Sequence, residues 1–489
     1  MKQNHIIILL GIIGFIIYVV MLWFRPQISW CDDTFFVDWA RQMAINGQFE
    51  SKPWPGSVPD YVPLYPVLLA GWIKVLGFSY FKVHLLDIFL AFINHCLLLN
   101  ILVKRNIIKK SITIVGISIC IWFGHTMFWI NNAGRPEVLT LTMTIIAANY
   151  LIELYNNKNR ANIIKFFISS MFVLFSGVQG FVALTFLTLI LLLQDYKKSL
   201  LKKKHIVITL IVSCLSSLSV TCIFFYFSGA LKSFLVKTIY YSKTVRFLWR
   251  NVKSSVLHQE TELSPENNSG LLGRLEEITL NPEYCMMAVI LFLLLFLYRK
   301  RLSSCQLTHP ERTIIISALV LPLFFELAGR YPIYYTYFAY YLVVISIFLL
   351  FERLIKPGYL NIMVIITGFI IILNFLFSPP VEKVADFRIV DLNHDFDKKV
   401  LNDIKNSGVS FDQPVVIPNE WYYMLVQNYD NNMYYQSSGD YPSNLEYVVE
   451  IPSHEYIYDG WDRKFYREMI SNNGYIYIYK VFQKTPSNH

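Results

Sequence analysis

Eleven apolar stretches recur along this chain, near 5–24, 82–103, 112–130, 137–155, 163–178, 180–193, 206–228, 284–298, 313–328, 333–351 and 360–377. Most approach the ~17–25 residues needed to cross a hydrocarbon core about 30 Å thick. A soluble domain has no place for so much apolar surface. Hydrophobic side chains make up 55% of the 489 residues and charged ones only 16%, against about 45–50% and about 25% in ordinary globular chains. The expected fold class is therefore an α-helical polytopic membrane protein with about eleven transmembrane helices.

The first stretch ends in Leu22-Trp23-Phe24-Arg25-Pro26, with aromatic residues where a cleavable signal peptide would carry small ones, so it reads as a retained span. Within 163–193, Gly177-Val178-Gln179-Gly180 divides a run that is either one long helix or a tight pair. Loop charge favours the pair. It puts the basic runs Lys104–Lys110, Lys158–Lys165, Lys197–Lys204, Arg299–Arg301 and Arg353–Lys356 on one side, the cytoplasmic one by the positive-inside rule. The net charge of +9 then reflects membrane orientation, and no nucleic-acid partner is expected. The seven cysteines lie scattered without a CxxC pair, which argues against a metal site or a disulfide framework.

The opposite side receives 25–81, 131–136, 229–283 and the tail from about 379 to 489. The chain thus divides into a membrane domain, 1–378, with external loops 25–81 and 229–283, and a small extracytoplasmic α/β domain, 379–489. In the tail, Val415–Ile417, Tyr447–Val449 and Tyr475–Tyr479 have strand character, and Phe396–Asn406 and Trp461–Ile470 read as helices.

Chemistry is expected in the first external loop. Phe36, Trp39, Ala40 and Met43 recur at i, i+3, i+4 and i+7, the pattern of an amphipathic helix resting on the membrane surface. At ~100° per residue, Asp32 and Asp33 project near its apolar face and Asp38 points away. Two adjacent carboxylates near apolar surface suit a general base, although Asp32 as a helix cap and Asp33 beside the helix dipole account for the pair as well.

The order of parts matters more: one span, then Trp30-Cys31-Asp32-Asp33 and a surface helix, then Tyr61-Val62-Pro63-Leu64-Tyr65-Pro66 leading into Val67–Leu76 and Gly77. This arrangement resembles the GT-C glycosyltransferases, the polytopic superfamily that includes protein O-mannosyltransferases and lipid A aminoarabinose transferases. The resemblance implies that Asp32 is the catalytic base, with Asp33 in the place of the second acid. Asn131-Asn132-Ala133-Gly134-Arg135-Pro136-Glu137 resembles the family's acidic opening of a later helix, although Glu137 also suits a helix N-terminus and Pro136 its first turn. The aminoarabinose transferases carry a Lys where this chain has Tyr61-Val62, so the resemblance does not extend to their acceptor chemistry.

The implied donor is a polyprenyl-phosphate-linked sugar, whose phosphate departs as the glycosidic bond breaks and needs a cation. Arg330, between two spans at their external ends, is the candidate, with Arg135 as a helper. Tyr65, His125 and Tyr334 are further candidate substrate-binding residues. Tyr334, Tyr337, Phe338 and Tyr341 form a stripe that either flanks the substrate or packs between helices. Asp87 with His84 at i,i+3 reads as a local pair inside the second span.

No cofactor is required, a divalent cation bridging Asp32, Asp33 and the phosphate is allowed, and no nucleotide-binding motif is present. Expected partners are the lipid-linked donor, a glycan, lipid or protein acceptor, and membrane lipids. The Ile-, Lys- and Asn-rich composition points to an AT-rich bacterial genome, and the expected location is a bacterial inner or plasma membrane. A transporter or flippase of lipid-linked saccharides is the rival class; it calls for internal repeats with interrupted helices at mid-membrane, and none is evident. A polysaccharide polymerase of another membrane family is a second rival.

Overall fold

The computed structural model describes residues 3–24, 33–48, 51, 63–131, 134–194, 203–229, 231–232, 282–327, 336–377, 396–409, 414–417, 423, 425–426, 433–435, 445–450, 465–472 and 477–483. Apolar helices occupy the described part of every predicted span: α1 (Gln3–Phe24), α4 (Tyr80–Lys104), α5 (Ser111–Phe123), α7 (Glu137–Asn156), α8 (Arg160–Ser176), α9 (Val178–Leu193), α10 (Lys204–Phe227), α11 (Pro282–Leu297), α13 (His309–Leu327), α14 (Thr336–Leu354) and α15 (Pro357–Phe377). Between them lie α2 (Asp33–Asn46), α3 (Leu64–Leu76), α6 (His125–Asn131) and α12 (Arg299–Ser304). Among the described residues, six helices are by length and composition able to cross a membrane. The chain is an integral, multi-pass membrane protein.

Burial follows from a bilayer solvent. The outward faces of α1, α10 and α15 expose Ile8, Ile12 and Ile16, Ile208, Ile211 and Leu215, and Ile362, Ile366 and Phe369, far more apolar surface than water tolerates. At the centre, α14 is buried from Tyr337 to Glu352 except at Leu342. Small residues let neighbours close on one another, as expected where dispersion rather than the hydrophobic effect joins helices. Gly14 of α1 faces the Trp122 indole of α5, and Gly116 of α5 faces the Phe348 ring of α14, with no room for a Cβ at either position. Several hydroxyls inside the spans return to their own backbone, among them Thr144, which donates to the Thr140 carbonyl (2.7 Å), and Ser118, which donates to that of Ile114 (2.7 Å), since water is not at hand to satisfy them.

The 163–193 run is a pair of helices. Gly177 separates α8 from α9 and presses so closely on α7 that a Cβ would lie 2.5 Å from the Thr140 hydroxyl. The stretch 112–130, expected as one span, is instead two helices broken at Gly124, whose extended backbone (φ −67°, ψ 132°) turns the chain into α6. The basic ends meet at one pole. Arg105 pairs with Glu153 at 2.8 Å, Glu352 accepts from the backbone N–H groups of Lys109 (2.8 Å) and Lys110 (3.2 Å), and Arg353 pairs with Glu311 at 2.5 Å. Lys203 sits over the Tyr155 ring and Arg301 donates to the Leu354 carbonyl at 3.3 Å.

In the tail, α16 (Phe396–Asn406) is the helix expected there, and β1 (Val415–Ile417), β2 (Met433–Tyr435), β3 (Tyr447–Glu450), β4 (Phe465–Asn472) and β5 (Tyr477–Gln483) form one sheet in the order β2-β1-β3-β5-β4. β1 is parallel to β2 and β3, whereas β3 and β4 run antiparallel to β5. The helix expected over Trp461–Ile470 is a correction: from Phe465 onward the segment is β4. Its apolar residues at 465, 466, 469 and 470 imitate helical spacing, but pairing with β5 from Phe465↔Gln483 to Asn472↔Tyr477, with an irregularity between Met469 and Ser471, takes the backbone. Residues 461–464 lie outside the described residues.

Candidate active site

At the pole opposite the paired cations, the segment between the first two long spans is built on α2 and α3. Pro63 precedes α3, and Gly77 ends it in a left-handed conformation (φ 83°), its N–H returning to the Ile73 carbonyl at 2.7 Å. Ser79 then caps α4, accepting from the Lys82 N–H at 3.2 Å. The turn between α3 and α4 is thereby fixed.

Protein covers both faces of α2 over Phe36–Gln42. Its apolar residues Phe36, Val37, Trp39 and Ala40 are buried, but so are Asp38 (0% exposed), Arg41 and Gln42 on the face expected to be polar. The Arg41 guanidinium lies 5.4 Å from the centre of the Phe78 ring, which covers that face with protein. Phe36 meets Tyr65 of α3 edge to face at 6.5 Å.

Tyr65 leads to a buried hub. Its hydroxyl donates to Asp87 Oδ1 of α4 at 2.8 Å, and the Gly134 N–H donates to Asp87 Oδ2 at 2.6 Å. Gly134 takes φ 66°, a turn that glycine enters without strain. Directly after it, Arg135 is forked onto Glu137, with Nη2 to Oε1 at 2.9 Å. Asn94 of α4 donates to the Val138 carbonyl of α7 at 3.0 Å. One buried carboxyl group, answered by two donors, thus locks α3, α4 and the turn before α7 together. His84 Nδ1 stands 4.0 Å from Asp87 Oδ2.

A second buried carboxylate lies at the start of α11. Glu283 (2% exposed) accepts from the Tyr340 hydroxyl of α14 and from Asn374 Nδ2 of α15 at 3.0 Å. Nearby, Tyr18 of α1 donates to the Trp122 carbonyl at 2.5 Å. Reasoning from sequence missed Glu283 and Asn374. The one available signal was an acidic residue directly after Pro282 at a helix start, which helix-dipole chemistry explains equally well.

Of the residues expected at the site, the structure brings Tyr65, Arg135 and Glu137 to the Asp87 hub, Tyr65 and the Arg135–Glu137 turn from opposite sides. Asp33 is the first residue of α2, and His125 the first of α6, but their side chains lie outside the described residues, as do Asp32, Arg330 and Tyr334 altogether. Tyr337, Phe338 and Tyr341 of the aromatic stripe are buried, and the first two rings pack at 4.2 Å. Among the described residues no group of three or more His, Cys, Asp or Glu side chains is arranged to hold a metal.

Eleven apolar helices among the described residues, the helical segment α2–α3 and a small terminal sheet make a GT-C-like fold. Solved structures that share it include those of ArnT from Cupriavidus metallidurans in the apo state (TM-score 0.63, 9% identity, 96% of this chain and 97% of that one) and bound to undecaprenyl phosphate (TM-score 0.58, 9% identity, the same coverage). The Archaeoglobus fulgidus oligosaccharyltransferase, in complex with Zn and sulfate, is similar at TM-score 0.52 and 13% identity over 90% of this chain and 67% of that one. No protein-family model and no curated protein sequence matches the chain.

Proposed function

We propose that this chain is a glycosyltransferase that moves a sugar from a polyprenyl-phosphate donor to a hydroxyl acceptor at the outer face of the membrane. The observation that carries the reading is the first external segment. A helix opening at Asp33, directly after Asp32, is seated against α3 and the Asp87 hub within a fold shared with an ArnT that binds undecaprenyl phosphate.

In this mechanism Asp32 takes the proton of the acceptor hydroxyl, the oxygen attacks the anomeric carbon, and the bond to the phosphate oxygen breaks with inversion. Asp33 supports Asp32. Arg330, helped by Arg135, balances the charge on the departing phosphate. The bilayer holds donor and base at one depth, which supplies proximity. No cofactor is needed; a divalent cation on the two acids is compatible with the chemistry, and chelation tests it. The acceptor is a glycolipid, a cell-surface polysaccharide or a protein. The basic pole faces the cytoplasm of a bacterial inner or plasma membrane, and the catalytic loops and terminal domain face outward.

The test is to give the purified chain in lipid nanodiscs a panel of polyprenyl-phosphate hexoses and pentoses with candidate acceptors. A glycosyltransferase releases polyprenyl phosphate and labels the acceptor. A transporter of lipid-linked saccharides moves the donor across a vesicle membrane intact, and that outcome defeats the reading.

A further inference from the structure

The terminal α/β unit is not simply appended to the membrane domain. Side chains alternate across a strand, and in β1 the alternation divides the unit into two faces. Val415 and Ile417, with Val400 and Ile404 of α16, belong to the same buried apolar cluster as the membrane helices, whereas Val416 joins Val448 and Val481 in a separate one. One face of the unit is therefore packed toward the bundle.

Tyr423 is where that contact reaches the candidate site. Its ring stacks on Phe78 at 5.8 Å with the planes 12° apart, meets Tyr80 edge to face at 4.9 Å, and lies 5.7 Å from the His84 ring. Each contact leads on to the catalytic segment. Phe78 carries the Arg41 guanidinium of α2, the helix that opens at Asp33. Tyr80 packs on His84 at 4.3 Å, and His84 stands beside Asp87, which holds the Gly134 turn and with it Arg135.

We infer that Tyr423 is a positioning residue: through it the extracytoplasmic domain clamps the α3–α4 turn and so sets α2 and the Arg135 turn against each other. The inference rests on the proposed glycosyl transfer for its consequence in turnover, but not for the clamp itself. Rigid aromatic rings are suited to this task because they lose little rotamer freedom and resist compression.

The test compares Tyr423→Ala and Tyr423→Phe with the wild type in two readouts. In steady-state transfer, Tyr423→Ala lowers kcat about tenfold or more with donor KM within about twofold, and Tyr423→Phe, which keeps the ring, stays within about threefold of wild type. In hydrogen–deuterium exchange, Tyr423→Ala raises uptake in residues 34–46 and 77–84 and leaves the basic pole at 104–110 unchanged. Turnover of Tyr423→Ala within about twofold of wild type, a loss in Tyr423→Phe as deep as that in Tyr423→Ala, or unchanged exchange in 34–46 each overturns the inference. A wild-type protein that transfers no sugar defeats the proposed function alone, and the exchange comparison then decides the clamp.

Discussion

Asp87→Ala is expected to cripple folding, whereas Asp87→Asn leaves a folded protein. The alanine removes the acceptor of both the Tyr65 hydroxyl and the Gly134 N–H in a fully buried position. Each orphaned buried donor costs about 1–3 kcal/mol, so the pair removes roughly 2–6 kcal/mol, a large share of the ~5–15 kcal/mol that holds a typical domain together. Asparagine can turn its carbonyl oxygen to Gly134, which only donates, and its amide to the Tyr65 oxygen, which rotates its hydrogen away and accepts. The unfolding midpoint in detergent should fall steeply for alanine and modestly for asparagine. Equal losses in the two variants would mean that the charge of Asp87, and not its place in the network, is what matters.

Asp32→Asn is expected to have the opposite profile. An asparagine caps a helix about as well as an aspartate, so the start of α2 keeps its stability and the unfolding midpoint stays put. A carboxamide does not accept a proton at neutral pH, and removing a general base costs typically ~10²–10⁴ in rate. Transfer should fall by that factor with donor KM nearly unchanged. Asp33→Asn should cost less, because the second acid supports the base. A cap without catalytic work would give a variant with undiminished turnover. This contrast separates the two roles that the Asp-Asp pair admits on sequence alone.

The membrane architecture is largely legible in the sequence because it rests on one-dimensional quantities. Run length and loop charge place the spans, and Gly177, pressed against Thr140, separates α8 from α9. The break at Gly124 is not visible in that way, since hydropathy continues across it. Periodicity identifies the apolar face of α2 but is blind to what covers the other face, which is how Asp38 and Arg41 come to be buried. It also fails at β4, where edge pairing with β5 overrides a helix-like spacing.

The Asp87 hub shows the same limit more sharply. In sequence its evident partner is His84, three residues away, yet its hydrogen bonds come from Tyr65 and Gly134, on either side in the chain. Glu283, Tyr340 and Asn374 likewise meet only in three dimensions. Nothing local marks such a meeting, whereas the Arg135–Glu137 pair, two residues apart, is readable from the sequence as a pairing.

The most direct measurement uses Cys31, the residue before Asp32, as a reporter. In cells expressing a variant in which Cys96, Cys120, Cys214, Cys222, Cys285 and Cys305 are replaced by alanine, Cys31 should react with a membrane-impermeant maleimide from outside. Added polyprenyl phosphate should slow the reaction. A cysteine at position 158 in the otherwise cysteine-free chain should react only after permeabilisation. Labelling of Cys31 solely after the cells are opened would put the two acids on the wrong side of the bilayer and contradict the account.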